Sequence, residues 1–263
     1  MSFQPIIPIT GIGGWNFLQA TYDKQLDSFS KSPVLQRDAD YFAENIGNVK
    51  TVDDLVDDYR LLSVALGAFG LEDNVDMKAL VKKVLQDGTT ADDSLASKLG
   101  DDRWISFSES FGFGPGETPK TSDATAMANL VQTYKVQSFE IAVGEQDNSM
   151  RVAMYGQREL LVLAEDDTSV NTKWFNVMGQ PAIREMFETA LGLPSDMGAA
   201  DLDTQLVNFK DRALAMFGTD DISAFADPDK MDRLVNVYLA RSEIQEFNAA
   251  NSAGATALML LQS

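Results

Sequence analysis

Residues 51–70 read TVDDLVDDYRLLSVALGAFG, and their apolar positions decide the fold class. Val52, Leu55, Val56, Tyr59, Leu62 and Leu66 recur at the spacing that places side chains on one face of an α-helix. Thr51 stands in front of the stripe with Asp54 three residues on, a capping-box pattern with Asp in place of Glu. Gly70 follows as a stop. On this reading Asp57-Asp58 lies inside the helix, on its polar side.

The same grammar repeats outward. Met77, Leu80, Val81, Val84 and Leu85 form a second stripe ended by Gly88, and Trp104, Phe107 and Phe111 mark a third helix after Asp101-Asp102. Residues 112–122 hold three Gly and two Pro, which leaves a loop. Upstream, one helix is expected from Trp15 to about Phe42. Downstream, Met127, Leu130, Val131 and Tyr134, then Val152, Tyr155 and Val162, predict a long segment that breaks at Asp147-Asn148-Ser149. Pro181 opens a helix carrying Ile183, Met186, Phe187 and Ala190, stopped by Gly192. Asp201 caps another with Leu202, Leu206, Phe209 and Phe217, stopped by Gly218. Asp227-Pro228 opens one through Met231, Leu234, Val235 and Tyr238, and residues 251–263 predict a short apolar helix. No Val/Ile/Thr run alternates convincingly, so strands are not expected.

The fold class is therefore all-α, a multi-helix bundle. Ala68-Phe69-Gly70-Leu71 and Ala190-Leu191-Gly192-Leu193 each close a helix before an acidic turn, which suggests two related three-helix units near 51–112 and 180–247. The expected organisation is an N-terminal helical arm at 1–50, a first unit at 51–112, long central helices at 123–170, and a second unit with the C-terminal helix at 171–263.

Composition narrows function by exclusion. The 263 residues are 44% hydrophobic and 23% charged, enough for a packed core. The formal charge of −19 comes from 40 acidic and 21 basic residues, and the cations are scattered, which argues against nucleic acid and anionic membranes. There is no Cys and no His, so disulfides, Ser-His-Asp triads, thiol nucleophiles and the usual zinc sites are excluded. Met1 to Trp15 lacks a basic n-region, so no Sec-type signal is expected, and no apolar stretch approaches a membrane span.

What remains is carboxylate, Lys or Tyr chemistry. The acidic pairs Asp53-Asp54, Asp57-Asp58, Asp92-Asp93, Asp101-Asp102, Asp166-Asp167 and Asp220-Asp221 sit mostly at helix starts, where capping explains them. Asp73-Asn74-Val75-Asp76 lies between helices but lacks the Gly and Glu of a calcium loop. Gly112-Phe113-Gly114-Pro115-Gly116 follows no strand and lacks the Gly-Lys-Ser/Thr ending of a phosphate loop. Arg151, Arg158, Arg184 and Arg241 sit within helices and read as pairing residues. No catalytic residue, cofactor site or metal site is assigned.

Several phrases together carry a resemblance. They are Asp57-Asp58-Tyr59-Arg60-Leu61-Leu62, Ala65-Leu66-Gly67-Ala68-Phe69-Gly70-Leu71, Phe139-Glu140-Ile141-Ala142-Val143-Gly144-Glu145-Gln146, Arg151-Val152-Ala153-Met154-Tyr155 and Ala190-Leu191-Gly192-Leu193-Pro194. Over roughly Trp15 to Arg241 the chain resembles an alphaproteobacterial domain family of unknown function, encoded largely among flagellar genes. The resemblance implies a flagellar context and carries no catalytic residues. Asn45-Ile46-Gly47-Asn48-Val49 is also similar to the Asn-Ile-Ala-Asn-Val box of flagellar rod and hook proteins, with Gly47 in place of the usual Ala.

These readings point to a non-enzymatic structural or assembly part of the bacterial flagellum, at the basal body or in the cytoplasm, acting through protein partners. A cytosolic adaptor or chaperone for exported flagellar subunits is the alternative, and a carboxylate enzyme with a divalent metal is a second. The apolar ends are the candidate partner-binding residues: Ile6, Ile7, Ile9 and Trp15 at one end, Leu258, Leu260 and Leu261 at the other.

Overall fold

Apolar residues at helical spacing become helices almost throughout. The computed structural model describes residues 3–91, 94–194 and 196–261, with side chains described as far as Asn251. Among the described residues there are thirteen α-helices and no strand. In chain order they are α1 (Gly11–Ser30), α2 (Pro33–Asn45), α3 (Val52–Asp57), α4 (Tyr59–Gly67), α5 (Lys78–Asp87), α6 (Leu95–Lys98), α7 (Asp102–Phe111), α8 (Ala124–Gly144), α9 (Asn148–Glu165), α10 (Val170–Gly179), α11 (Pro181–Leu191), α12 (Leu202–Phe217) and α13 (Pro228–Leu261). The all-α expectation holds.

The helices gather into two compact units. Residues up to Ile6 together with Thr21–Ala142 form the first, and Ile7–Ala20 together with the chain from Val143 onward form the second. The division falls inside α1 and α8.

In the first unit Phe42, Leu55, Leu62, Leu66, Val81, Val84, Leu85, Phe107 and Phe111 are fully enclosed. Each such side chain contributes roughly 1.5–3 kcal/mol by leaving water. Phe107 meets Phe69, Trp104 and Phe111 edge-on, with ring centroids 5.7, 6.0 and 5.4 Å apart. In the second unit Trp174 packs edge-on against Phe187 at 5.2 Å, and Phe187 against Phe225 at 5.5 Å. The Trp174 indole N–H donates to the Asp220 carbonyl at 2.7 Å, so its polar edge is satisfied inside the core.

Four expectations change. First, Asp58 does not continue a helix. Its backbone is extended, and its carboxylate accepts from the Arg60 and Leu61 N–H groups as the N-cap of α4. A short acidic side chain competes for backbone donors, and here that competition wins. Tyr59 consequently leaves the apolar stripe and is 60% exposed. Second, the Trp15–Phe42 helix is two helices, because Pro33 takes the N1 position of α2 and starts a new one. Third, residues 251–261 form no separate helix: α13 runs unbroken from Pro228 to Leu261. Fourth, the stripes are narrower at their starts than read from spacing, since Met77 and Leu202 are exposed.

The two helix stops compared in the sequence share one geometry. Gly70 and Gly192 adopt left-handed φ of 67° and 64°. The Leu71 N–H donates to the Leu66 carbonyl at 3.0 Å and the Leu193 N–H to the Glu188 carbonyl at 2.9 Å, the six-to-one bond of a Schellman motif. In each unit an arginine from a later helix reaches the stop. Arg103 of α7 donates to the Gly70 carbonyl at 2.6 Å, and Arg241 of α13 donates to the Thr189 carbonyl at 3.4 Å.

Candidate interaction surface

Several aspartates serve helix ends. Thr51 and Asp54 form a reciprocal capping box, and Asp101, Asp147, Asp201 and Asp221 each accept from a backbone N–H at the start of their helix or turn. One member of the pairs at 53–54, 57–58, 101–102 and 220–221 is thus a cap. Asp166, just past the end of α9, accepts from the Thr168 N–H, while Ser169 caps α10. Asp92-Asp93 lies outside the described residues. Backbone donors hold the Asp54 carboxyl below its usual range, the Lys50 N–H foremost. At Asp58 burial pushes the carboxyl up, and the Tyr41 hydroxyl with the Leu61 and Arg60 N–H groups more than offsets it, so the net shift is down. Among the described residues no three acidic side chains converge to hold a metal ion.

The buried cation is equally structural. Lys173 of α10 is almost fully enclosed, and its ammonium donates to the Ala164 carbonyl at 2.9 Å and to the Ser223 hydroxyl at 2.6 Å. Ala164 lies in the last turn of α9, where carbonyls lack helical partners and the helix dipole favours positive charge. Arg184 donates to Glu188 at 2.7 Å, to the Gln205 side chain at 2.8 Å and to the Met178 carbonyl at 3.3 Å, tying α11 to α12 and to the end of α10. Arg158 pairs with its neighbour Glu159.

The Gly-Pro loop is shaped by close backbone approach. A Cβ on Gly88 would lie 2.7 Å from the Gly114 Cα, and a Cβ on Gly114 equally close to the Gly88 Cα. Lys120 then caps the end of α7 twice, its N–H bonding to the Phe111 carbonyl and its ammonium to the Glu109 carbonyl. Buried Thr121 anchors the loop to the Val49 carbonyl. The Asn45–Val49 phrase closes α2 with a short 3₁₀ turn, Ile46–Asn48, that buries Ile46 and Val49, while the position of a Cβ on Gly47 is open.

In the second unit α13 changes character along its length. Its inner half is core: Met231, Leu234, Val235, Tyr238 and Leu239 are buried. The Glu243 carboxylate occupies the space where a Cβ on Gly11 would be, at 2.5 Å. An anion at the first turn of α1 is electrostatically favoured. From Glu243 to Asn251 every residue is exposed, including Ile244 at 59% and Phe247 at 69%. Ile244 and Phe247 are three residues apart and so share one face of the helix.

The sequence candidates fall in different settings. Trp15 is buried at 4% and belongs to the core of the second unit, whereas Ile9 is 60% exposed and Ile7 half-buried. Ile6, in the first unit, is 55% exposed, but its backbone is held: its N–H bonds the buried Gln25 side-chain oxygen at 2.6 Å and its carbonyl accepts from the Gln25 amide at 3.2 Å. Leu258, Leu260 and Leu261 fall on the last turns of α13, and their side chains lie outside the described residues. Spacing alone missed Ile244 and Phe247. The signal available was an exposed-length argument: a stripe continuing past the residues needed to reach the core. Among the described residues no helix is long and apolar enough to cross a membrane.

The sequence model of a family described as "Protein of unknown function (DUF1217)" matches residues 68–231. A crystal structure of protein AGR_C_984 from Agrobacterium tumefaciens, determined by a structural genomics consortium, is similar at a TM-score of 0.72 and 27% identity, covering 92% of this chain and 99% of that one. No curated protein matches the chain.

Proposed function

The chain belongs to the DUF1217 family of proteins of unknown function, and from that premise we propose that it is a non-enzymatic structural or assembly component of the bacterial flagellum, associated with the basal body or rod and working through helix-mediated protein contacts. Three of the phrases that resemble a flagellar-encoded family, Phe139–Gln146, Arg151–Tyr155 and Ala190–Pro194, lie inside the residues that the family's sequence model matches. The observation that carries the mode of action is the continuation of α13 beyond its body, with Ile244 and Phe247 presented to solvent. Helices are stabilised mainly by packing of an apolar face, so a helical extension with exposed Ile and Phe suits a partner helix. The capping roles of Asp54 and Asp58 and the structural bonds of Lys173 support a reading in which these groups serve the fold.

The test is genetic and biochemical. Deleting the gene, and separately truncating the chain after Ser242, is expected to abolish swimming in soft agar, and a tagged full chain is expected in the hook–basal-body fraction. Normal swimming by both strains, with no flagellar protein co-purifying, defeats the proposal. A cytosolic pool bound to exported subunits in place of basal-body enrichment moves the assignment to an adaptor.

A further inference from the structure

Gln25 of α1 is 5% exposed, and its side-chain amide meets the main chain of one distant residue at two points. The Ile6 N–H donates to the Gln25 Oε1 at 2.6 Å, and the Gln25 Nε2 donates back to the Ile6 carbonyl at 3.2 Å. The other amide hydrogen goes to the Thr21 hydroxyl oxygen, one turn earlier on α1, at 2.8 Å. A backbone N–H can only donate, so its partner is the amide oxygen, and the orientation of the Gln25 amide is fixed. Ile6, Thr21 and Gln25 all lie in the first unit. Gln25 thus offers Ile6, on a single side chain, the donor and acceptor that a neighbouring antiparallel strand would offer.

The clamp reads backbone, since the Ile6 side chain is 55% exposed. Selectivity comes one step earlier: Pro5 is buried, Phe3 is half-buried and Gln4 between them is exposed. Proline has no N–H to satisfy, so it enters a buried place without orphaning a donor. Proline also biases the residue before it toward extended backbone, and residues 3–8 form no helix, strand or turn. With Pro5 and Pro8 both restricting it, the segment is largely pre-shaped, which lowers the cost of ordering it on docking. It is also uncharged: the first charged side chain is Asp23, in a chain of formal charge −19. An acidic body does not repel such a segment.

We propose that Gln25, oriented by Thr21, is the centre of a docking site for an extended, uncharged peptide with proline just before the residue that is read, and that Phe3–Ile6 fills this site reversibly, as a strap that the same sequence supplied in trans replaces. The mode is that of strand addition, with main-chain bonds for affinity and a neighbouring enclosed side chain for selectivity. Release of the strap leaves the Gln25 amide without its two backbone partners, so the vacated site favours a second extended segment over staying empty. The site uses no residue of α13.

In the full chain, Pro5→Asp puts a charge at the buried position and frees the site of its own segment. A fluorescent peptide of residues 1–8, MSFQPIIP, is expected by anisotropy to bind this variant roughly tenfold more tightly than it binds the wild-type chain. Methylating the Ile6 nitrogen of the peptide removes the donor to Gln25 and is expected to weaken binding roughly tenfold, while Ile6→Ala in the peptide changes it by less than about threefold. Gln25→Met added to Pro5→Asp is expected to abolish binding with the circular dichroism unchanged. In the otherwise wild-type chain, Gln25→Met is expected to speed exchange of the Ile6 amide hydrogen roughly tenfold, which reads the clamp even where Pro5→Asp does not fold. No binding of the peptide to the folded Pro5→Asp chain, equal binding to the wild-type chain, or undiminished binding of the methylated peptide overturns the proposal. Unchanged Ile6 exchange in folded Gln25→Met overturns the clamp itself.

Discussion

The Thr121 hydroxyl donates to the Val49 carbonyl at 2.7 Å, joining residues 72 apart in the chain. The bond is buried, and it pins the Gly-Pro loop after α7 to the turn that ends α2. Removing a donor from a buried carbonyl costs about 1–3 kcal/mol. Thr121→Val is therefore expected to lower the denaturation midpoint in urea, while Thr121→Ser retains most of the stability. Identical midpoints for Thr121→Val and wild type contradict the anchor.

Three glycines separate by what surrounds them. Gly47 has open space at its Cβ position, so Gly47→Ala is expected to be neutral or to stabilise by up to about 1 kcal/mol through the unfolded chain. Gly156 of α9 faces the Met186 sulfur and Gly88 faces the Gly114 backbone, so alanine at either is expected to destabilise. Thermal melts of the three variants should rank Gly47→Ala highest.

Lys173 should behave as a post and not as a reagent. Lys173→Met leaves the Ala164 carbonyl without its described charged donor and the Ser223 hydroxyl without its ammonium partner, at an expected cost of about 1–3 kcal/mol. In a double-mutant cycle with Ser223→Ala, coupling above about 0.5 kcal/mol is expected because the two groups touch. Additive losses contradict the contact.

Acid should weaken the fold through its caps. Asp54, Asp58, Asp101 and Asp201 have folded-state carboxyls below their ordinary 3.8. For a depressed pKa the stabilisation is fully present above the unfolded value and is lost as pH falls through the folded one. Stability should thus be level with respect to these groups down to about pH 4 and decline below it. Asp58→Asn is expected to lower stability at neutral pH and to flatten the acid limb; an unchanged limb contradicts the role assigned to Asp58.

Trp15 and Ile9 test the division between core and surface. Trp15→Ala empties a buried site and is expected to cost about 3–5 kcal/mol. Ile9→Ser, at an exposed site, is expected to leave the melting temperature within a degree or two. Equal effects from both overturn the placement.

Helix content was legible because capping and stopping residues agree with the apolar spacing: Thr51 with Asp54, Pro181 before Ile183, and Gly192 and Gly218 after their stripes all sit where local chemistry alone puts them. The errors came where two local rules compete. Asp58 reads as a tolerated surface acid within a stripe, but it caps α4 through the Arg60 and Leu61 N–H groups, with the Tyr41 hydroxyl, 17 residues upstream, donating to it at 2.7 Å. Pro33 carried its own signal, since a proline inside a long helix removes a hydrogen bond. The interaction surface was less legible. Trp15 and Ile9 look alike as apolar residues near the start of the chain, and their separation into core and solvent depends on tertiary packing that no spacing encodes. The exposure of Ile244 and Phe247 depends on where the neighbouring helices stop, which is a property of those helices.

The mutual contact of the Gly88 and Gly114 alpha carbons has a consequence for reading distant relatives. Neither position has room for a side chain while the other backbone stays where it is, so replacements there must come together with a reshaped hairpin of chain. The pair works as a marker: a homologous sequence with bulk at either place has rebuilt the turns that follow its fifth and seventh helices, and alignments through those turns should then admit insertions or deletions before they admit substitutions.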